Sequence, residues 1–277
     1  MTLEEKERRL RAILNELASA VVAFSGGVDS SYLAWKTNEI LGDRMLAVTA
    51  VSASTSSQQR RLVDRVVGDY GIPHRVLQSE EIEIDEYRAN DADRCFYCKD
   101  EICSNLWTIA ADIGADVVLD GQNSDDLDDY RPGRKAALKH NVRSPLMEAG
   151  LTKNDIRELS RRAGLVTADE PAAACLATRI PYGVEITVAK LQLIDRCEEF
   201  LRDMGFRVFR VRHHETLARI EFGADDLKRA LNMECAAKIA SALKNFGYRF
   251  VTLDLEGYRM GSANEVLSDI ERQKFAV

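Results

Sequence analysis

The chain has 277 residues, enough to bury a sizeable core, and we expect one large domain followed by a smaller one. Its composition, 45% hydrophobic and 30% charged, is typical of globular proteins, and its net charge of −7 argues against a nucleic-acid substrate. No apolar run reaches membrane-spanning length, and the first nine residues are a charged helix start rather than a signal peptide. We therefore expect a cytoplasmic protein that does not bind a membrane.

The first elements along the chain predict a parallel sheet with helices on both faces. Apolar periodicity alternates between helices and buried strands up to residue 119: helix 3–19, strand 20–24, helix 32–41, strand 45–51, helix 58–70, strand 74–77 and strand 116–119. Strands and helices on short connections indicate a doubly wound, mostly parallel α/β sheet. Ligands bind at the carboxyl ends of the strands in such folds.

A glycine-containing turn joins the first strand to the next helix and reads Ser25, Gly26, Gly27, Val28, Asp29, Ser30, Ser31. Paired glycines let the main chain approach an oxyanion, and the amides and dipole of a helix start favour negative charge. The serine hydroxyls can add donors. No Gly-Lys-Ser/Thr follows, so the turn is not a Walker A loop. It predicts a phosphate site, against the alternative that it merely joins a strand to a helix.

A polar loop beginning at Asp120 and Gly121 follows the strand at 116–119 and is placed to line the same crevice. It contains four further aspartates: Asp125, Asp126, Asp128 and Asp129. These carboxylates could bind Mg²⁺ or cap a helix, and an acidic, solvated loop is an equally good interpretation for most of them.

Three of the six cysteines are candidates for metal or catalytic chemistry. Cys95 and Cys98 form a single Cys-x-x-Cys that could be half of a zinc site, a redox pair or chance, and the charges of Arg94 and Lys99 favour thiolates. Cys175 lies in the proline-bounded segment 169–183, at whose end we place the domain boundary. If the three converge, they can hold three irons of a [4Fe–4S] cluster and leave the fourth open.

Zinc would usually recruit a fourth protein ligand, and no histidine lies near these cysteines in the sequence. The other three cysteines fall within helical patterns and are interpreted as small buried residues: Cys103, Cys197 and Cys235.

Residues 184–277 predict a small α+β domain. Its predicted elements are a helix at 187–204, strands at 206–214 and 218–222, a helix at 225–246 and a strand at 250–255. Period two places Arg210 and Arg212 on one strand face, where they could clamp a phosphate or carboxylate or simply face solvent. Glu198 and Glu221 could pair with arginines or present carboxylates to a metal or substrate, and the sequence leaves both interpretations open.

These motifs together resemble the LarE-type family of ATP-dependent sulfur transferases, within the ATP pyrophosphatase superfamily. The resemblance covers nearly the whole chain. It depends on residues 25–31, 120–121, 125–126, 130–133, 175–183, 210–212 and 218–221. It implies that ATP is cleaved between its α and β phosphates with Mg²⁺, and that the substrate is pyridinium-3,5-biscarboxylic acid mononucleotide. The carboxylates of that substrate become thiocarboxylates during synthesis of the nickel-pincer nucleotide cofactor.

The resemblance also implies roles for individual residues. The nucleotide-binding positions are Ser25, Gly26, Gly27, Asp29, Ser30, Gly121 and Arg179, and the catalytic positions are Cys175, Glu198, Arg210, Arg212 and Glu221. In this family the substrate carboxylate is adenylylated and the cysteine at position 175 attacks, after which loss of its Cβ–S bond leaves dehydroalanine. Members that also contain a Cys-x-x-Cys resemble cluster-bearing enzymes, so Cys95, Cys98 and Cys175 imply a [4Fe–4S] cluster.

The implied partners are a second copy of the chain, a sulfur donor and a downstream nickel-inserting protein. Two alternatives remain open: a tRNA thiolase of the same superfamily, and a non-catalytic adenine-nucleotide sensor with a structural metal. The acidic composition and the lack of an evident RNA-binding appendage count against the thiolase.

Overall fold

The computed structural model describes residues 1–127, 132–171, 174–259, 261–262 and 265–266. The magnesium candidates Asp128 and Asp129, and motif positions Tyr130 and Arg131, lie outside the described residues. Its helices are α1 (Leu3–Asn15), α2 (Val28–Leu41), α3 (Ser57–Tyr70), α4 (Asp85–Arg88), α5 (Arg94–Ile113), α6 (Pro132–Lys139), α7 (Pro145–Glu148), α8 (Lys153–Arg162), α9 (Val188–Asp203), α10 (Ala224–Ala230) and α11 (Met233–Phe246). Its strands are β1 (Ala20–Ala23), β2 (Met45–Val51), β3 (His74–Gln78), β4 (Val117–Leu119), β5 (Phe209–His214), β6 (Leu217–Phe222) and β7 (Phe250–Leu253).

The first four strands form one parallel sheet in the order β3-β2-β1-β4. Because side chains alternate between the two faces of a strand, Ala20 and Val22 of β1 pack in one apolar cluster with residues of α2 and α8. Val21 points into the opposite cluster, which α5 covers with Leu106. The sheet is thus packed on both faces, and the predicted doubly wound α/β class is confirmed.

The last three strands form a second sheet, in which β5 and β6 are antiparallel and β6 and β7 parallel. Its core includes Cys197 and Phe222. A further cluster joins Tyr87 of α4 to Ile180 and to Ile194 of α9, across the proposed boundary at residue 183. The division into domains 1–183 and 184–277 therefore stays a prediction.

The structure corrects the predicted elements in several places. Helix α1 ends at Asn15 rather than near residue 19. The single helix expected at 225–246 is two helices, because the side chain of Asn232 accepts the backbone N–H groups of Glu234 and Cys235 and starts α11 as an N-cap. Helix α5, whose first turns contain Cys95 and Cys98, has no counterpart in the expected elements, and neither have α4, α6 and α7. None of the described helices is long and apolar enough to cross a membrane.

Candidate active site

The glycine-containing turn lies at the carboxyl end of β1 and starts α2. Gly26 has a φ of +76°, and a Cβ there would lie 2.9 Å from Val63 Cγ2, so both conformation and space require glycine. Gly27 is the N-cap of α2 and has no side chain to accept the first-turn amides. The Ser25 and Ser30 hydroxyl oxygens are 3.0 Å apart, and Ser30 also accepts the Ser25 N–H. The turn therefore offers hydroxyls and helix-start amides to an anion.

The carboxyl end of β4 packs directly against this turn. A Cβ on Gly121 would lie 2.9 Å from the Ser30 backbone nitrogen. Asp29 accepts from Lys153 Nζ at 2.5 Å, and its other carboxylate oxygen is buried with no hydrogen-bond partner among the described residues. The predicted nucleotide-binding residues of the turn and Gly121 thus lie at one edge of the sheet.

The aspartates that follow β4 hold the loop together. Asp125 accepts the Lys153 N–H at 2.8 Å, and buried Asp126 accepts the Asn123 N–H at 3.0 Å. These hydrogen bonds are typical of helix caps and tight turns, the alternative to Mg²⁺ binding for this loop. A Mg²⁺ site at these positions stays a prediction.

Buried Asp120, at the end of β4, makes an ion pair with the partly exposed Lys99 at 3.2 Å. Burial alone would raise the pKa of Asp120, but the charge of Lys99 and hydrogen bonds from Gln122, Ser144 and Lys99 hold this pKa below its usual value. We expected the charge of Lys99 to favour thiolates. Its ammonium group instead pairs with Asp120 at the carboxyl end of β4, and this contact holds the first turns of α5 next to the glycine-containing turn.

The turn after Cys175 is held by a buried, bidentate ion pair between Arg179 and Glu198, at 2.9 and 3.0 Å. The same guanidinium donates to the carbonyls of Ala174 (2.8 Å) and Cys175 (3.1 Å). Burial would raise the pKa of Glu198, but Arg179 and the positive charge of Arg210 lower it overall. Arg179 thus holds the Cys175 backbone in place, and its predicted contact with the nucleotide stays a prediction.

A second buried pair supports the same turn. Arg212 donates to both oxygens of Glu221, at 2.9 and 2.7 Å, and to the Thr178 carbonyl at 3.0 Å. Arg219, placed beside Glu221 as the strand alternation predicts, is 3.2 Å from it. We call Arg179, Glu198, Arg212 and Glu221 the arginine–glutamate frame. Both glutamates therefore pair with arginines, and Arg212 is buried rather than solvated.

Arg210 lies next to this frame and lines a basic cleft. Its guanidinium donates to the Phe209 carbonyl and lies 4.8 Å from the ring centre of Tyr258. Burial and the nearby charge of Arg179 lower the pKa of Arg210. The cleft is also lined by the arginines Arg202 and Arg207 and by polar residues from the start of α3, Ser56 and Gln58. Four arginines against one glutamate, Glu198, make it suited to an anionic group.

Charges at the three candidate cysteines affect one another's pKa, and Cys98 and Cys175 pack against the same apolar cluster. Burial raises the pKa of Cys98 well above its usual value, and the charges of Glu81, Cys175 and Cys95 raise it further. Partly exposed Cys175 also has a raised pKa, through loss of water contact and the charge of Cys95, which Arg94 opposes. Each thiol thus interacts with the other two.

Their arrangement bears on which metal group they fit. No three His, Cys, Asp or Glu side chains among the described residues are placed to bind a single metal ion. The zinc interpretation of Cys95 and Cys98 and the [4Fe–4S] cluster that the resemblance implies for Cys95, Cys98 and Cys175 therefore both stay predictions.

Glu81 is a site residue that the sequence did not reveal. Its buried carboxylate accepts three hydroxyl groups, from Ser52 and Ser54 at 2.5 Å and from Ser79 at 2.6 Å, and lies 3.8 Å from the Cys98 sulfur. No local pattern marks it, because its partners come from separate segments.

The sulfur and nucleotide regions are joined by the start of α3. The Leu176 N–H donates to the Ser54 carbonyl at 2.9 Å. The Gln59 side chain donates to the Ser25 carbonyl at 2.9 Å, and Ser57 donates to Asp195 of α9. Cys175 therefore lies at the same edge of the sheet as the glycine-containing turn.

The remaining cysteines behave as small buried residues. Burial raises the pKa of Cys103 to about 11 and that of Cys197 to about 12, and both side chains are fully buried in apolar clusters. Cys235 is partly buried against the core of the second sheet.

The chain is similar to known proteins along nearly its whole length. Residues 11–191 match the asparagine synthase family model. The chain is 33% identical over 276 residues to the pyridinium-3,5-bisthiocarboxylic acid mononucleotide synthase of Lactiplantibacillus plantarum, covering 99% of each chain. An uncharacterized protein of Synechocystis is 41% identical and covers 96% of this chain and 99% of its own. A tRNA-specific 2-thiouridylase of Beijerinckia indica is 30% identical over only 56% of this chain and 44% of its own.

Proposed function

Because this chain belongs to the LarE-type family of ATP-dependent sulfur transferases, we propose that it converts the carboxylates of pyridinium-3,5-biscarboxylic acid mononucleotide into thiocarboxylates. The observation that carries the proposal is the position of Cys175. Its sulfur is one of three interacting thiols, and its turn is fixed by the arginine–glutamate frame at the end of the sheet that bears the glycine-containing turn. A carboxylate activated there would meet sulfur without a large movement of the chain.

The first step activates the substrate. A substrate carboxylate oxygen attacks the α phosphate of ATP, which forms an acyl adenylate and releases pyrophosphate. The amides and hydroxyls around Gly27 and Ser30 would bind the pyrophosphate, since they combine hydrogen-bond donors with the positive end of the α2 dipole. The substrate's own phosphate would occupy the basic cleft of Arg202, Arg207 and Arg210.

The second step transfers sulfur. A sulfur nucleophile attacks the acyl carbon and expels AMP, a good leaving group. If that sulfur is the Cys175 thiolate, a thioester forms; removal of the Cys175 Cα proton by a base then breaks the Cβ–S bond, and the electron pair leaves on the product sulfur. This route consumes the cysteine as dehydroalanine.

Cys95, Cys98 and Cys175 are the residues that would hold a [4Fe–4S] cluster, whose chemistry would be to present a replaceable sulfide at its open iron. Anaerobic purification followed by iron and acid-labile sulfide assays tests this assignment. Iron together with an equal or slightly larger amount of acid-labile sulfide would support it, and active protein without iron would remove the cluster from the reaction. The expected second copy, sulfur donor and nickel-inserting partner stay predictions.

The substrate is tested by supplying full-length protein and ATP, anaerobically, with either the pyridinium dicarboxylate mononucleotide or unmodified tRNA. We expect AMP, pyrophosphate and a thiocarboxylate product with the mononucleotide alone. AMP and thiolated nucleoside with tRNA alone would instead establish the thiolase alternative, which the partial similarity to tRNA-specific 2-thiouridylase makes the second candidate. ATP binding without AMP formation from either would indicate a nucleotide sensor.

A further inference from the structure

Lys153, the first residue of α8, brings a positive charge to the glycine-containing turn. Its ammonium nitrogen lies 2.5 Å from the carboxylate of Asp29, which belongs to the first turn of α2. The two residues are 124 positions apart in the chain. They meet because α8 packs along α2, with Ile156 and Leu159 in the same apolar cluster as Leu33. The contact is therefore a product of the fold.

The start of α8 is held firmly next to the turn. The Lys153 N–H donates to Asp125 at 2.8 Å, in the loop that begins with Gly121. Thr152 is the N-cap of α8 and forms a capping box with Asp155, in which each side chain accepts the other residue's backbone N–H. Since Gly121 packs against the backbone of the glycine-containing turn, the Lys153 backbone is fixed relative to that turn.

The ammonium group of Lys153 keeps donors that a ligand can use. A lysine ammonium has three N–H groups, and within the described part of the chain this one donates only to Asp29. The Lys153 side chain is 33% exposed, so its free N–H groups are accessible. Lys36 of α2 is different: it is 3% exposed and pairs with both Glu7 and Glu39. Lys36 is a structural lysine, whereas Lys153 has capacity left.

The charges at the turn favour a phosphate as that ligand. The start of α2 offers backbone amides, and Ser25 and Ser30 add hydroxyls. The carboxylate of Asp29 stands in the same turn and would repel an anion by itself. The ammonium of Lys153 neutralises this carboxylate and presents its remaining N–H groups beside the other donors. Ammonium groups in such positions bind phosphate oxygens well.

We propose that Lys153 binds the β and γ phosphates of ATP and holds them as they leave as pyrophosphate. Its ammonium keeps its contact with Asp29 and donates its other N–H groups to phosphate oxygens. As the substrate oxygen bonds to the α phosphorus, the bond to the bridging oxygen breaks, and its electron pair stays on the pyrophosphate. A cation placed there stabilises that growing negative charge. This inference rests on the proposed function and adds a binding residue to it.

The test compares Lys153→Met with Lys6→Met in the full chain, since methionine keeps the length of the side chain and removes its charge. Lys6 of α1 is the matched control. Its ammonium also lies 2.5 Å from an aspartate, Asp155 of α8, and its side chain is 18% exposed. Within the described residues Lys6 makes no contact with the glycine-containing turn. Each variant is titrated by calorimetry with inorganic pyrophosphate and, separately, with AMP.

We expect Lys153→Met to weaken pyrophosphate binding about 10- to 100-fold, as befits the loss of hydrogen bonds between charged groups. AMP lacks the β and γ phosphates, so its affinity should stay unchanged. Lys153→Arg keeps the positive charge and should bind pyrophosphate more tightly than Lys153→Met does. Lys6→Met should match the wild type with both ligands.

Thermal unfolding and the AMP titration separate this role from a structural one. Each methionine variant loses one partly exposed ion pair, so their unfolding midpoints should be close to each other. The inference is overturned if Lys153→Met binds pyrophosphate as tightly as the wild type. It is also overturned if pyrophosphate and AMP affinities fall together, because Lys153 would then only shape the turn. The pyridinium substrate is absent, so a failure to form thiocarboxylate would leave these results unaffected.

Discussion

The two sides of the Cys175 turn differ in how completely their polar groups are paired. On one side, the arginine–glutamate frame gives both carboxylates bidentate arginine partners and ties Arg179 and Arg212 to the turn's carbonyls. On the other side lie Cys95, Cys98 and Cys175, which we call the thiol pocket, and the Nε–H of Arg94 next to Cys95 has no acceptor among the described residues. Paired groups hold a segment in place, whereas an unpaired buried donor is open to a ligand. The frame therefore holds the Cys175 turn, and we propose that sulfur transfer takes place at the thiol pocket.

The largest effect should come from the pocket side. Cys175→Ser removes the nucleophilic sulfur, and we expect loss of thiocarboxylate product by at least about a thousandfold, measured by mass spectrometry of the reaction mixture. Cys235→Ser is the matched control, because Cys235 is only partly buried and is outside the site. Equal product from both variants would remove Cys175 from the reaction.

On the frame side, the expected effect is on folding. Glu198→Gln leaves the buried Arg179 charge unpaired, and we expect the free energy of unfolding to fall by about 3–5 kcal/mol. Urea unfolding followed by circular dichroism measures it. The control Glu234→Gln breaks an exposed pair with Lys238 and should change stability little. Similar losses in the two variants would mean that the frame contributes no special rigidity.

A third prediction concerns the glycine-containing turn. Gly26→Ala combines a positive φ with a Cβ 2.9 Å from Val63, and we expect weaker ATP binding and a loss of about 1–3 kcal/mol of stability. ATP affinity by calorimetry and thermal unfolding give the two readouts. Gly71→Ala also has a positive φ, +59°, but no atom within 4 Å of its Cβ, so only backbone strain should appear. Unchanged ATP affinity in Gly26→Ala would exclude the turn from nucleotide binding.

The smallest expected effect is on acid stability. Arg179 and its neighbours lower the pKa of Glu198, so the unfolded state binds the proton more readily and stability falls as pH drops through the folded-state pKa. Unfolding measured from about pH 6 down to about pH 3 should show a shallower decline for Glu198→Gln than for wild type. Parallel curves would show that the frame's charge pairing is not what the acid disrupts.

Sequence alone predicted the parallel sheet and the glycine-containing turn, because burial and periodicity along β1 and β2 are local signals. It also singled out Glu198, Arg212 and Glu221, but not which arginine pairs with which glutamate. Glu198 forms its ion pair with Arg179 rather than with an arginine of β5, because α9 packs against the Cys175 turn.

The thiol pocket was only partly predictable. The cysteines and the flanking Arg94 are visible as a short motif, whereas Glu81 and Asn90 carry no local signal. Their roles depend on contacts with Cys98 and residues 181–184, about 10 to 100 positions away along the chain. Residues that complete a site through tertiary contacts of this kind cannot be found from periodicity or spacing.

The most direct test of the account is the mass of both product and protein after anaerobic turnover with ATP and the pyridinium dicarboxylate mononucleotide. The account predicts a product in which sulfur replaces a carboxylate oxygen, formed with equimolar AMP. The chain either loses the mass of H₂S at Cys175 or stays unchanged while iron and sulfide are bound. A sulfur-free product, or sulfur transfer that persists in Cys175→Ser, would contradict it.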